Sequence, residues 1–183
     1  LSTGNDLTPF ESGGFSSWEK VKSFAWGAKR TIDANLQIFA IYDRDYYCDE
    51  EIIAIEDDLK KELTDAQILA RKEMESYLLN VDVLQRVLEK QLDAKNKRAG
   101  TFASSSKNIE QYLAEITEET RLDAQAQYVA KKLQFHKGSG KDNSTLSKHA
   151  FQEFEKKWGD IRTRMCIVPG KVVLRNLRDA VQR

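Results

Sequence analysis

The stretch LQIFAIYDRDYY, residues 36–47, constrains the fold of this chain more than any other. Ile38, Phe39, Ala40, Ile41 and Tyr42 are β-formers with no polar alternation, the pattern of a strand buried on both faces of a parallel sheet. The run stops at Asp43-Arg44-Asp45, and open α/β sheets place their chemistry at such strand ends. Residues two apart on a strand share a side, so Asp43 and Asp45 would project together while Arg44 points away. Two close carboxylates repel unless a cation sits between them, and hard oxygen ligands suit Mg²⁺ or Mn²⁺. The same residues also fit a strand running into a polar loop with a helix N-cap.

Before this strand, residues 7–10 read as a short strand that Pro9 confines to an edge, followed by a turn at Gly13-Gly14. Ser16 or Ser17 can cap the next helix, whose apolar stripe is Trp18, Val21, Phe24, Ala25 and Ala28. Strand, turn, helix and strand make a βαβ unit, so the expected class is α/β: a small, mostly parallel sheet flanked by helices, with residues 36–42 as its central strand. After the Asp pair, residues 49–63 read as a helix with Ile52, Ile53, Ile55, Leu59 and Leu63 toward the core. Asp49, Glu50 and Glu51 in its first turn complement the helix dipole.

Residues 67–70 read as a strand leading into RKEMESYLL, where Glu73 and Glu75 repeat the spacing of two. On a strand these acids share a side; on a helix they diverge by about 200°. Asn80 reads as the N-cap of a helix over 82–97, residues 101–108 as a turn, 109–135 as one helix and 136–145 as a mobile loop. In the helix expected over 146–158, Phe151, Phe154 and Trp158 have the spacing of a packed stripe rather than of a base-stacking platform. Residues 82–158 thus make a helical insertion. Residues 165–168 read as a strand, Pro169-Gly170 as a turn, and Lys171 opens the last helix. A lysine placed there can reach the crevice of the acids, or simply be a solvated helix-start residue.

With 183 residues and 21.0 kDa, the chain suits one domain with a proper core. Lys plus Arg equal Asp plus Glu at 29 each, so any nucleic-acid site must be local. Cys48 and Cys166 fit neither a metal-ligand spacing nor a secreted disulfide framework, and a reducing, cytoplasmic setting is expected. No apolar run approaches the roughly 18 residues of a membrane span, so no membrane partner is expected. The sequence holds no G-x-x-x-x-G-K-[ST] loop, so ATP hydrolysis is not expected of this segment.

IYDRDYYCDEE, ARKEMESYLL and IVPGKVVL, in that order, resemble the Toprim domain of overcoming-lysogenization-defect (OLD) family nucleases and related proteins that join an ABC-type ATPase to a Toprim. The likeness covers residues 10–88 and 158–177, with the helices between as a family-variable insertion. It implies a single Toprim-like domain over residues 1–183, part of a larger ATPase–Toprim protein, that cleaves nucleic-acid phosphodiesters, DNA by analogy, in antiphage defence. Asp43 and Asp45 match the DxD pair, Glu75 the downstream acid with Glu73 beside it, and Lys171 the lysine near the scissile phosphate. The implied cofactor is Mg²⁺ or Mn²⁺ on Asp43, Asp45, Glu75 and Glu73. The implied partners are nucleic acid, an ABC-type ATPase domain or subunit, and a second copy of the chain.

A Toprim usually opens with a strand ending in glutamate, often within Val-Glu-Gly. The only early candidate is Glu11, and its FESGGFSSW setting looks like the family's second strand and glycine turn. The chain is therefore expected to begin downstream of that first strand. This leaves a second reading, a Toprim-like scaffold for dimerisation or partner binding without catalytic chemistry. Strand joining and primer synthesis gain little, because no tyrosine has a context that marks it as a strand-cleaving nucleophile.

Overall fold

The computed structural model describes residues 8–13, 17–33, 35–102 and 104–182. The chain groups into two compact units, Leu1–Tyr42 with Ile53–Ile68, and Asp43–Ile52 with Leu69–Arg183.

The first unit holds α1 (Trp18–Thr31), β1 (Phe39–Tyr42), most of α2 (Asp49–Leu59) and β2 (Asp65–Ile68). β1 and β2 pair in parallel, from Phe39 opposite Asp65 to Tyr42 opposite Ile68, so β1, α2 and β2 form a βαβ element. The chain is mostly helical, with this one two-stranded sheet among the described residues, and the coarse α/β description holds. The expectation of a central strand buried on both faces does not. β1 alternates, one face covered and the other open: Phe39 and Ile41 are exposed, while Tyr42 is buried. An unbroken apolar run hides this alternation because every side chain in it is hydrophobic.

On α1 the buried face narrows to Ala25 and Ala28, and Phe24 is exposed and stacks on Phe10. Lys22 pairs with Asp58 at 2.8 Å, and Lys29 Nζ donates to the Glu62 carbonyl at 2.7 Å, which ties α1 to α2 and the turn after it. The edge strand expected over 7–10 is absent from residues 8–10, which carry no regular structure; Leu7, Gly14 and Ser16 lie outside the described residues. Of the isoleucines and leucines expected in the core of α2 and its turn, Ile52, Ile55, Leu59 and Leu63 are buried and Ile53 is exposed.

Among its described residues the second unit contains a 3-10 helix (Met74–Leu78) and six further helices: α3 (Val81–Ala99), α4 (Ile109–Glu118), α5 (Arg121–Phe135), α6 (Asn143–Gly159), α7 (Ile161–Arg164) and α8 (Gly170–Gln182). Leu79, Leu88, Leu113, Phe154, Trp158, Met165, Val168, Val173 and Leu177 are in its core. The caps explain where the helices start. Asn80 accepts from the Val83 amide, and Asn108 and Gln111 form a reciprocal capping box. Asp142 accepts from the Thr145 amide and starts α6 at Asn143, so the last residues of the expected 136–145 loop are helical.

Two expectations are corrected here. The single helix over 109–135 is two helices that break at Glu119-Thr120 with neither Gly nor Pro. Tertiary contacts fix that corner: Arg121 binds Glu118 and Glu155, and Trp158 Nε1 donates to Glu118 at 3.3 Å. The strand expected over 165–168 is a pair of tight turns, in which the Cys166 and Ile167 amides bond back three residues, to Thr163 and Arg164. Met165, Ile167 and Val168 are apolar because they are buried, not because they are extended. Among the described residues, no helix is long and apolar enough to cross a membrane.

Candidate functional site

The acid-bearing segments expected to converge lie in the second unit, and short contacts link them. The Asp43-Arg44-Asp45 loop follows β1, residues 69–73 follow β2, and Gly170 and Lys171 begin α8. The Asp45 amide donates to the Lys72 carbonyl at 2.9 Å, and the Lys72 amide donates to the Cys166 carbonyl at 2.8 Å. These bonds lash the acid loop to residues 69–73 and that segment to the turns before α8.

Side chains complete the arrangement. Asp43 Oδ1 accepts from the Met74 amide at 2.8 Å, which satisfies a donor at the start of the 3-10 helix. Asp45 has φ +49°, a left-handed conformation that Asp tolerates better than most residues, so the strand alternation that would align the two aspartates ends before them. Lys72 is buried, with Nζ at 2.7 Å from Glu73 Oε1, 3.8 Å from Asp45 Oδ1 and 5.1 Å from the centre of the Tyr46 ring. Glu73 Oε2 in turn accepts from the Lys171 amide at 3.3 Å, and Lys171 Nζ lies 3.4 Å from Glu75 Oε1. Asp43, Asp45, Glu73, Glu75 and Lys171 are thus gathered into one network. Glu73 and Glu75 meet it from an extended residue and a 3-10 turn rather than from one strand.

Burial pushes the Asp45 carboxyl above the usual carboxylate range; Lys72 opposes the shift, and Asp43 adds to it. Burial, with Glu73 and Asp45 behind it, raises the Tyr46 phenol, which keeps the ring neutral under Lys72. Tyr46 also carries the site into the core: its ring centre lies 6.4 Å from that of Tyr128, which lies 5.9 Å from Phe154.

No family model, curated protein or solved structure matches this chain. The site's chemistry rests on its own geometry and on the motifs.

Among the described residues, no three His, Cys, Asp or Glu side chains gather closely enough to cage a metal ion. The donor set itself is hard carboxylate oxygen, and Mg²⁺ commonly takes only one or two protein carboxylates while keeping several waters. Asp43 and Asp45 fit that smaller requirement in kind. The ammonium of Lys72 stands between Asp45 and Glu73 as their cation.

Sequence reasoning missed Lys72 and the role of Gly170. Lys72 carried no signal that sets it apart from Arg71 before it. Gly170 carried one, the Pro-Gly before a helix. A Cβ there would stand 2.6 Å from the Ser76 amide nitrogen and 2.9 Å from the Glu75 carbonyl carbon, so only glycine lets α8 approach the 3-10 helix this closely. That approach sets Lys171 beside Glu75.

Proposed function

We propose that the second unit carries the catalytic centre of a Toprim-like, Mg²⁺- or Mn²⁺-dependent nuclease that works with an ABC-type ATPase on nucleic acid, DNA by analogy. The observation that supports this best is the convergence of DRD, KEMES and PGK, segments up to 128 positions apart from Asp43 to Lys171, through the Met74 amide and the Lys171 amide. A divalent ion on Asp43 and Asp45 would activate water and stabilise the leaving oxygen. Glu73 holds the start of α8 in place, and Lys72 holds Glu73. Lys171 is the mobile charge: its side chain is 72% exposed and its partner Glu75 32% exposed, so it can turn toward a phosphate at little cost.

Lys171→Ala in the complete ATPase-containing protein is expected to lower cleavage about 100-fold, the scale of one lost charge-stabilising group, with little change in melting temperature. A folded variant that cuts at the parental rate would remove Lys171 from the mechanism. The second reading, a scaffold without chemistry, is favoured by the Lys72 ammonium standing between two of the acids. It predicts no divalent-dependent cleavage by the complete protein at all.

A further inference from the structure

We infer that the cleft lined by Arg44, Tyr47, Tyr128, Lys157 and Thr163 is an anion subsite that takes a phosphate group of a nucleic-acid strand. The identity of the strand rests on the nuclease reading; the anion chemistry does not. The cleft has a volume of about 150 Å³ and is also lined by Asp45 and Tyr46, so it adjoins the acid network. That is room for a phosphate.

Four cations converge on this region of the second unit, and three have partners. Arg44 pairs with Asp49, Lys132 with Glu153, and Lys131 sits 4.0 Å from the centre of the Tyr47 ring. Lys157 has no carboxylate within 4.0 Å among the described residues. Its Nζ donates to the Tyr128 hydroxyl at 3.3 Å and lies 5.3 Å from the centre of that ring. A half-buried ammonium near a guanidinium, with a phenol as its acceptor and the carboxylates of Asp49 and Glu153 acting only at longer range, has no direct counter-ion such as a buried charge normally has. Burial first and Arg44 second hold the Lys157 ammonium below its ordinary range, against the weaker pull of Asp49 and Glu153. A phosphate between Arg44 and Lys157 would supply a direct counter-ion, and Arg with Lys is a common pairing for that group. Tyr128 and Thr163 add hydroxyls to the same wall.

The test uses the 183-residue chain in EDTA at about 0.1 M salt, with two probes: a fluorescent ten-nucleotide single-stranded DNA followed by anisotropy, and inorganic phosphate as its competitor. Lys157→Gln is expected to weaken DNA binding about tenfold or more, the worth of one charge-assisted hydrogen bond. Lys157→Arg should restore most of it, and Lys97→Gln, an exposed charge on the last turn of α3, should change it less than about twofold. Asp45 lines the cleft and its charge opposes an anion, so Asp45→Asn should tighten DNA binding in EDTA, the opposite of what binding through a metal on that carboxylate would show. Phosphate that competes with DNA on the parent but not on Lys157→Gln supports the shared site. Phosphate binding without DNA binding overturns the strand as the source. A Lys157→Gln chain with parental melting temperature that binds both probes like the parent, or a parent that binds neither, overturns the subsite.

Discussion

Phe154→Ala is expected to destabilise the second unit by about 4 kcal/mol, the cost of truncating a fully buried phenylalanine where the walls cannot close. Phe154 is completely buried, stacks on Trp158 with ring centres 5.1 Å apart, and meets Tyr128 edge-on at 5.9 Å. Both neighbours are rigid rings anchored from other directions: Trp158 by its bond to Glu118, and Tyr128 by Tyr46 and Lys157. The void would therefore persist. Urea unfolding, read from Trp158 in a Trp18→Phe, Trp26→Phe background, should show the midpoint lowered by roughly 2 M for a slope of about 2 kcal/mol/M. A shift under about 0.5 M would mean that the cavity collapses and that the aromatic row is not a fixed support for the acid loop.

Lys72→Met is the second large effect, on the order of 3 kcal/mol at neutral pH. The Lys72 and Glu73 side chains are only 11% and 16% exposed, so deleting the ammonium strands a nearly buried carboxylate and leaves Asp45 without its nearest cation. The change also removes the larger of the two influences that hold the Asp45 carboxyl down, leaving Lys131, while burial, Asp43 and Glu73 continue to push it up. The sign follows: folded Lys72→Met would bind a proton at Asp45 at a higher pH than the unfolded chain does, so its deficit should shrink as the pH falls from 7.5 to 5. Lys72→Arg, which keeps the charge, should lose much less. Denaturation at both pH values checks all three statements, and a deficit that grows on acidification would contradict them.

How far the sequence disclosed this arrangement varies by residue. β1 and its end at Asp43 were legible because β-formers stop abruptly at charged residues, and Asn80 was legible as a cap because a side-chain acceptor before an apolar period has few other uses. The exposure of Phe39 and Ile41 was not, since what packs on each face of β1 is a property of the whole fold. The break between α4 and α5 carries no glycine or proline; it is imposed by Arg121, Glu118, Glu155 and Trp158, residues as much as 40 positions apart. The turns at 165–168 looked like a strand because a short apolar run is the same in a buried turn and a buried strand. In the site, the motif acids were visible, while Lys72 was not: RKEMES does not say which of its two cations turns inward. Lys157 was hidden for the same reason: FEKKW does not say which of its two lysines turns inward.

The central claim is that Asp43 and Asp45 hold a divalent ion, and titrating the 183-residue chain with Mn²⁺ under electron paramagnetic resonance tests it most directly. The expected result is saturable Mn²⁺ binding by the parent that is lost in Asp43→Ala with Asp45→Ala, with both proteins folded by circular dichroism. A parent that leaves all Mn²⁺ free, or a double variant that binds it as the parent does, would contradict the account.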